Sequence, residues 1–430
     1  MTDLLMNDER PQPSPLYRWL VLIVVSLAMF GSYYVYDAVS PLADVLKQQL
    51  GFTDVNLGFL QAVYSVPPIF TTLLGGILID RIGLRKSLMI FAVLCFIGPA
   101  ITVSAGKLSV MATGRFVFGM GAETLNVAVI AAIARWFKGK ELSFALGLNL
   151  TASRLGTFAA LNSPTWAKWA FSNWRTPFVI SVVFSVLCVI GAAIYWVMEI
   201  WAEKNFNLGG VSTDKVVLSD IRKFGVSYWL IVALCIVFYS AIFPFQTFAV
   251  KFFMETHGTS REFGGFLSSM LTLFAMIATP LFGLLVDRVG KRSLLMMIGS
   301  TLLIPVYLIM AYTHVSLYVP MAMMGLAFSL IPSVMWASVA YIVDSAKIGT
   351  AYGLMTMIQN IGLFGLNLLI GWANDYSHAG ADNPGGYNLG MWIFSTLGFL
   401  GVAFAFLLRQ RELGPHGHGL ETITTATKAT

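Results

Sequence analysis

Long apolar runs alternate with short polar breaks along this chain, and the runs exceed anything a soluble core requires. Twelve of them lie near 17–40, 56–79, 87–106, 109–134, 142–166, 174–200, 225–253, 262–285, 293–312, 316–342, 350–374 and 387–409. A helix of about 20 mostly apolar residues crosses a bilayer. In lipid only a helix or a closed barrel satisfies every backbone N–H and C=O. The pattern therefore predicts an all-α integral membrane protein with twelve transmembrane helices. The one long polar break, 201–224, divides the chain into bundles of six spans at 17–200 and 225–410. Residues 1–16 are polar and carry Asp3, Asp8, Glu9 and three prolines, unlike a signal peptide with its basic start and short apolar core. The segment 411–430 reads as a polar cytoplasmic tail that need not be ordered.

Composition agrees with the pattern. Hydrophobic residues make up 57% of the chain and charged ones 11%, and the mean hydropathy is +0.76. Soluble domains carry about a quarter charged residues, so a chain this poor in charge could not cover a water-facing surface. The formal net charge of +6 raises the question of nucleic acid. Position along the chain answers it. With the N-terminus inside, 19 of the 27 Lys and Arg residues fall in cytoplasmic segments, six on the other side and two, Arg115 and Arg154, within spans. Basic surplus on the cytoplasmic side orients membrane proteins, so the charge predicts topology, with both termini cytoplasmic and no nucleic-acid partner.

Chemistry-bearing motifs are scarce. Cys95, Cys188 and Cys235 sit far apart in apolar runs, and the five histidines have no metal-ligand spacing. We expect no metal and no cofactor. Without a nucleophile elbow or phosphate loop, and with loops too short for a catalytic domain, we expect no enzyme either.

An internal repeat carries more information. Gly76-Ile-Leu-Ile-Asp80-Arg81-Ile-Gly83 recurs as Gly283-Leu-Leu-Val-Asp287-Arg288-Val-Gly290 at an offset of 207, and Arg85-Lys86 and Lys291-Arg292 follow the two copies. Ala145, Gly147 and Gly156 match Ala351, Gly353 and Gly362 at an offset of 206. Two distant matches at nearly one offset indicate duplication of a six-helix unit. Parallel halves of this kind are related by a pseudo-two-fold axis along the membrane normal, with a substrate site between them near mid-membrane.

The doubled Asp-Arg loop, together with Arg115-x3-Gly119-x-Gly121 in the fourth span, resembles the major facilitator superfamily over residues 17–410. Longer strings are similar to the lysosomal dipeptide uniporter branch of that superfamily. They are Gly114-Arg-Phe-Val-Phe-Gly-Met-Gly-Ala-Glu123, Trp136-Phe-Lys-Gly-Lys-Glu-Leu142, Gly349-Thr-Ala-Tyr-Gly353, Ile358-Gln-Asn-Ile-Gly362, Ser32-Tyr33, Tyr36-Asp37 and Phe243-Pro-Phe245. The resemblance implies a dipeptide carrier working by alternating access as a uniporter, although substrate varies within one fold.

Charges deep in a span cost on the order of 2.5–3.5 kcal/mol on insertion scales, so they face a cavity or a partner rather than lipid. Asp37, Glu123 and Arg154 are such charges. Glu123 and Arg154 stand near the middle of adjacent antiparallel spans. Together they suit a zwitterionic peptide: a carboxylate for its ammonium and a guanidinium fork for its carboxylate. The competing reading is a buried Glu–Arg bridge that fixes two helices, and in an empty carrier the pair can neutralise itself. Asp37 shares a helical face with Tyr33, beside Tyr36, and reads as an amine or proton site or as a solvated gate residue. Tyr239, Phe243, Trp336, Gln359 and Asn360 are further cavity candidates, with packing as the alternative for the aromatics. Asn360 takes the repeat-equivalent position of Arg154. That places charge in the first half and hydrogen bonding in the second. Asp80, Arg81, Arg85, Asp287, Arg288 and Arg292, with Arg115, read as gating residues, the loop members forming cytoplasmic latches or, more simply, topology anchors.

Two other functions stay open on the sequence: a proton-coupled carrier of small organic anions such as monocarboxylates, and a non-transporting receptor or scaffold. We expect a monomer in the lipid bilayer, with no accessory subunit indicated. A bacterial inner membrane is the expected location.

Overall fold

The computed structural model describes residues 11, 13–137, 141–206, 221, 223–344 and 347–424. Most of the predicted 201–224 linker, including Asp214, Lys215, Asp220 and Arg222, lies outside the described residues. The first span is α1 (Pro15–Asp37), begun by Ser14, whose side chain accepts from the Tyr17 amide. A short turn and α2 (Ala43–Leu50) follow, closed by Gly51 in the left-handed conformation. The second span is broken into α3 (Asp54–Tyr64) and α4 (Val66–Ile82). Pro67 and Pro68 cause the break, because proline suits a first helical turn but removes bonds from a helix interior.

Next come α5 (Leu84–Ser104), α6 (Leu108–Phe137), α7 (Leu142–Leu161), the single turn α8 (Ser163–Trp166) and α9 (Arg175–Asn205). The second half comprises α10 (Val226–His257), α11 (Arg261–Val289), α12 (Arg292–Tyr312), α13 (Tyr318–Ile342), α14 (Ile348–Tyr376) and α15 (Asn388–Glu412). All twelve predicted spans are helical. Among the described residues, ten helical stretches are long and apolar enough to cross a membrane. The broken second span and α7 are not among the ten. These two carry polar side chains of the candidate site.

Packing repeats between the halves. In the first, α1 packs on α7 and α9, and α5 on α6 and α9; in the second, α10 packs on α14 and α15, and α12 on α13 and α15. The sequence duplication is thus a duplication of helix neighbours. The halves meet through α3 and α4 against α14, and through α7 against α11. Glycine permits close approach where backbones nearly touch, between the halves at Gly58 and within the first half at Gly119. A Cβ on Gly58 would lie 2.3 Å from the Asn367 carbonyl oxygen, and one on Gly119 equally close to that of Tyr64.

The end of the bundle carrying residues 80–86 and 287–292 is called the Asp-Arg face here, and the opposite end the far face. At the Asp-Arg face the described part of the C-terminal segment packs against the start of α12. The Glu421 carboxylate accepts from the Ser293 amide at 2.8 Å, the Glu421 and Leu420 carbonyls accept from the Lys291 and Arg292 amides, and Leu420 is fully buried. The first N–H groups of α12 lack partners within the helix, and this segment supplies them.

Candidate functional site

Arg154 projects from α7 into the junction between the halves. Its guanidinium carbon lies 5.8 Å from the ring centre of Tyr33 on α1 and 5.1 Å from that of Phe328 on α13, so aromatic faces from both halves hold the cation. Its Nε is buried without a hydrogen-bond partner. Buried polar atoms are nearly always paired, so this one marks a place where a ligand can contribute.

Glu123, at mid-length of α6, accepts a hydrogen bond at Oε1 from the Tyr64 hydroxyl at 3.1 Å. No ion pair joins it to Arg154 among the described residues. The self-neutralising bridge, one of the readings open for the pair, does not form among the described residues. Each charge is held instead by aromatic side chains, which occupy less of its bonding capacity. Glu123 is reached from the Arg154 side through a chain of rings, Phe328 to Phe243, Tyr36 and Tyr64. Asp37 is buried as the last residue of α1.

The opposite wall comes from the second half. The rings of Tyr239 and Phe243 stack at 5.7 Å, and Phe243 meets Phe328 edge-on at 5.9 Å and Tyr36 across the junction at 6.5 Å. The Trp336 indole donates to the Tyr239 hydroxyl at 2.9 Å. Gln359 accepts from the Cys235 thiol at 3.8 Å. Asn360 is buried and its amide donates to the Thr356 carbonyl of its own helix, so the repeat-equivalent of Arg154 is turned into its own backbone. Ring and hydrogen-bond contacts thus link Tyr33, Tyr36, Glu123, Arg154, Tyr239, Phe243 and Trp336, whereas the Asn360 amide is directed elsewhere and Asp37 lies buried at the end of α1.

Arg115 is buried near the far-face end of α6. It donates to the carbonyls of Val35, Tyr36 and Leu60 and to the Gln61 side chain. All of these partners lie in the first half, so Arg115 ties the end of α1 to α3 within one bundle.

The side chains that join the halves stand at the far face, and the sequence reading did not single them out. Lys251 and Asp54 are fully buried, with Nζ to the two carboxylate oxygens at 2.5 and 2.7 Å. Glu255 lies 3.7 Å from the same ammonium and accepts from the Tyr387 hydroxyl. Asp375, at the end of α14, takes the backbone N–H groups of Asp54 and Val55 at 2.8 Å each, capping α3 from the other half. Arg261 pairs with Asp44, and Lys168 with Glu262 at 2.7 Å. One signal for this latch was available in the sequence. Lys251 sits among Ala249, Val250, Phe252 and Phe253, and its nearness to the span end led to its being counted as a loop cation.

The Asp-Arg loops engage their own halves. Arg85 pairs with Glu203 at 2.8 Å and lies 3.7 Å from Glu199, and Arg135 pairs with both acids, beside a cavity of about 560 Å³. Arg292 donates to the Ile423 carbonyl at 2.6 Å, covers Tyr341 and lies 3.6 Å from Asp287. Arg81 and Arg288 are exposed. The Asp80 side chain lies outside the described residues.

Comparison with known proteins follows the same lines. Residues 25–364 and 232–425 match the Major Facilitator Superfamily. The chain is 33% identical over 374 residues to the lysosomal dipeptide transporter MFSD1 of Danio rerio, covering 83% of this chain and 80% of the relative. It is 31% identical over 376 residues to the Homo sapiens protein of that name, covering 84% and 80%. The crystal structure of a D-xylose–proton symporter superposes with a TM-score of 0.72 at 18% identity, covering 96% of this chain and 99% of the symporter.

Proposed function

The chain is an integral multi-pass membrane transporter of the Major Facilitator Superfamily, and on that premise we propose that it moves dipeptides across the membrane by alternating access. Glu123 takes the substrate ammonium and Arg154 the substrate carboxylate. The observation that carries this reading is the pair of opposite charges at mid-depth, both held by aromatic side chains and neither neutralised by the other. A peptide's two termini complete both charges at once. The Arg154 fork offers the directed donors that a carboxylate needs. The Tyr239, Phe243 and Trp336 wall offers apolar faces to peptide side chains with little selectivity. The names of the relatives support the same substrate class.

Among the described residues the Asp-Arg face carries most of the Lys and Arg side chains, which supports a cytoplasmic placement for it. The far-face latch is closed, so release to that side requires these contacts to break. Binding that is equal in both states shifts nothing, and substrate gradients alone drive a uniporter.

Purified protein in liposomes tests the reading. Uptake of dipeptides, but not of free amino acids, tripeptides or monocarboxylates, is expected, with no accumulation against a gradient when a pH difference is imposed. Accumulation driven by the pH difference overturns uniport. Absence of transport for every dipeptide overturns the substrate class. A monocarboxylate carrier would need only Arg154, so Glu123→Gln separates the two: dipeptide binding is lost, whereas anion binding would survive.

A further inference from the structure

Helix α3 has one end at the far-face latch and the other at the Glu123 carboxylate. Its first residue, Asp54, is bound by Lys251 of α10, and its first amides are capped by Asp375 of α14. Its last residue, Tyr64, donates to Glu123. Along its length Gly58 lets α3 lie directly on the α14 backbone. At Tyr64 the helix ends, Ser65 donates its amide to the Ala62 carbonyl in a tightened turn, and Pro67-Pro68 restarts the span as α4. One rigid segment of 11 residues therefore joins the second half to the Glu123 carboxylate of the first.

The geometry points to Tyr64 as the residue that couples occupancy of Glu123 to the far-face latch. The inference rests on the reading that Glu123 receives the substrate ammonium. Without substrate, the Tyr64 hydroxyl bond to Glu123 anchors the inner end of α3 to α6, and the latch holds its outer end to α10 and α14. The helix then braces the halves together at the far face. An arriving ammonium competes for the Glu123 carboxylate and weakens the anchor. Substrate thereby interacts differently with the braced and released states, which is the condition for a ligand to shift a conformational equilibrium. Tyr64 is a positioning residue in this scheme. It orients Glu123 and reports on its occupancy through α3. The Tyr36 ring at 4.7 Å and the Phe118 ring at 5.4 Å keep the phenol in place for that role.

The test reads the far-face gap directly. Spin labels are placed at Gln48→Cys and Asp382→Cys, two exposed far-face positions on opposite halves, and distances are measured in lipid nanodiscs without substrate. Tyr64→Phe and Glu123→Ala delete opposite ends of one bond. Each should raise the ratio of separated to closed halves by about tenfold, as expected for loss of a hydrogen bond to a charged group. The double variant should raise it no further, because the two residues act through one interaction. Glu123→Gln keeps an acceptor oxygen for Tyr64 and should stay within about threefold of the parent.

A Tyr64→Phe distribution that superimposes on the parent, or additive effects in the double variant, overturns the coupling. If Tyr64→Phe does not fold, Glu123→Ala against Glu123→Gln decides it by the same distances. Alanyl-leucine binding to Glu123→Gln is measured in parallel. Parent-like affinity there overturns the ammonium reading while leaving the ligand-free coupling to stand or fall on its own distances.

Discussion

Arg154 lies between the Tyr33 and Phe328 rings with its Nε unpartnered, and so does little of the bonding of which a guanidinium is capable. A side chain whose purpose was structural would be bridged to Glu123, the complementary charge near the middle of the adjacent span. We expect Arg154→Lys to keep the charge but lose the planar fork. Uptake efficiency should fall by about 10- to 100-fold, the worth of one or two hydrogen bonds to a charged group. Initial uptake rates across a range of dipeptide concentrations measure this, and an unchanged rate constant would remove Arg154 from the substrate. Far from the site, Glu421 caps the start of α12 through the Ser293 amide. Glu421→Ala should cost about 1 kcal/mol of stability, read as a lower melting temperature in detergent with uptake chemistry intact.

At the scale of single helices, the second span shows how a local sequence choice becomes a moving part. Two prolines divide it, and the 11-residue outer piece is short enough to serve as a strut between the halves. Glycine sets where the strut touches. A Cβ on Gly119 would enter the space of the Tyr64 carbonyl oxygen, so Gly119→Val should push α3 off α6. Overpacking of this kind costs about 1–3 kcal/mol. We expect a lower melting temperature and weaker dipeptide binding together, measured by thermal shift with and without alanyl-leucine. Gly58 faces the other half, so Gly58→Leu should chiefly disfavour the closed far face and leave each bundle folded. A parent-like Gln48–Asp382 label distance in that variant would contradict its placement against Asn367.

For the whole molecule, the state is set by a small number of buried charges. Lys251 and Asp54 are fully buried and pair across the two halves at the closed far face. Removing Asp54 leaves the buried Lys251 ammonium with only the more distant Glu255 carboxylate at 3.7 Å, at a cost of up to about 3–5 kcal/mol. Asp54→Asn should therefore drive the far face open and slow the return step of the transport cycle, seen as wider label distances and a lower maximal rate. Asp54→Leu with Lys251→Met, an apolar replacement of the pair, should recover most of the closed population. If the double variant opens as widely as Asp54→Asn, attraction within the pair rather than relief of a stranded charge is what closes the gate.

How much of this was legible beforehand varied with the physics involved. Twelve spans, their division into two halves and the duplication were readable because lipid imposes one length and one hydrogen-bonding solution on every crossing, and because the Asp80 and Asp287 loops repeat in sequence. Glu123 and Arg154 stood out for the same reason, being charges where lipid tolerates few. The sequence by itself thus determined the class of molecule, its two-fold plan and the charges at its centre. Which charges pair was decided only by tertiary structure. Asp54 and Lys251 are 197 positions apart, Asp375 caps a helix 321 positions away, and Tyr64 rather than Arg154 holds Glu123. A pairing depends on where two helices cross and at what depth. Hydropathy records depth along one helix and carries no information about its neighbour.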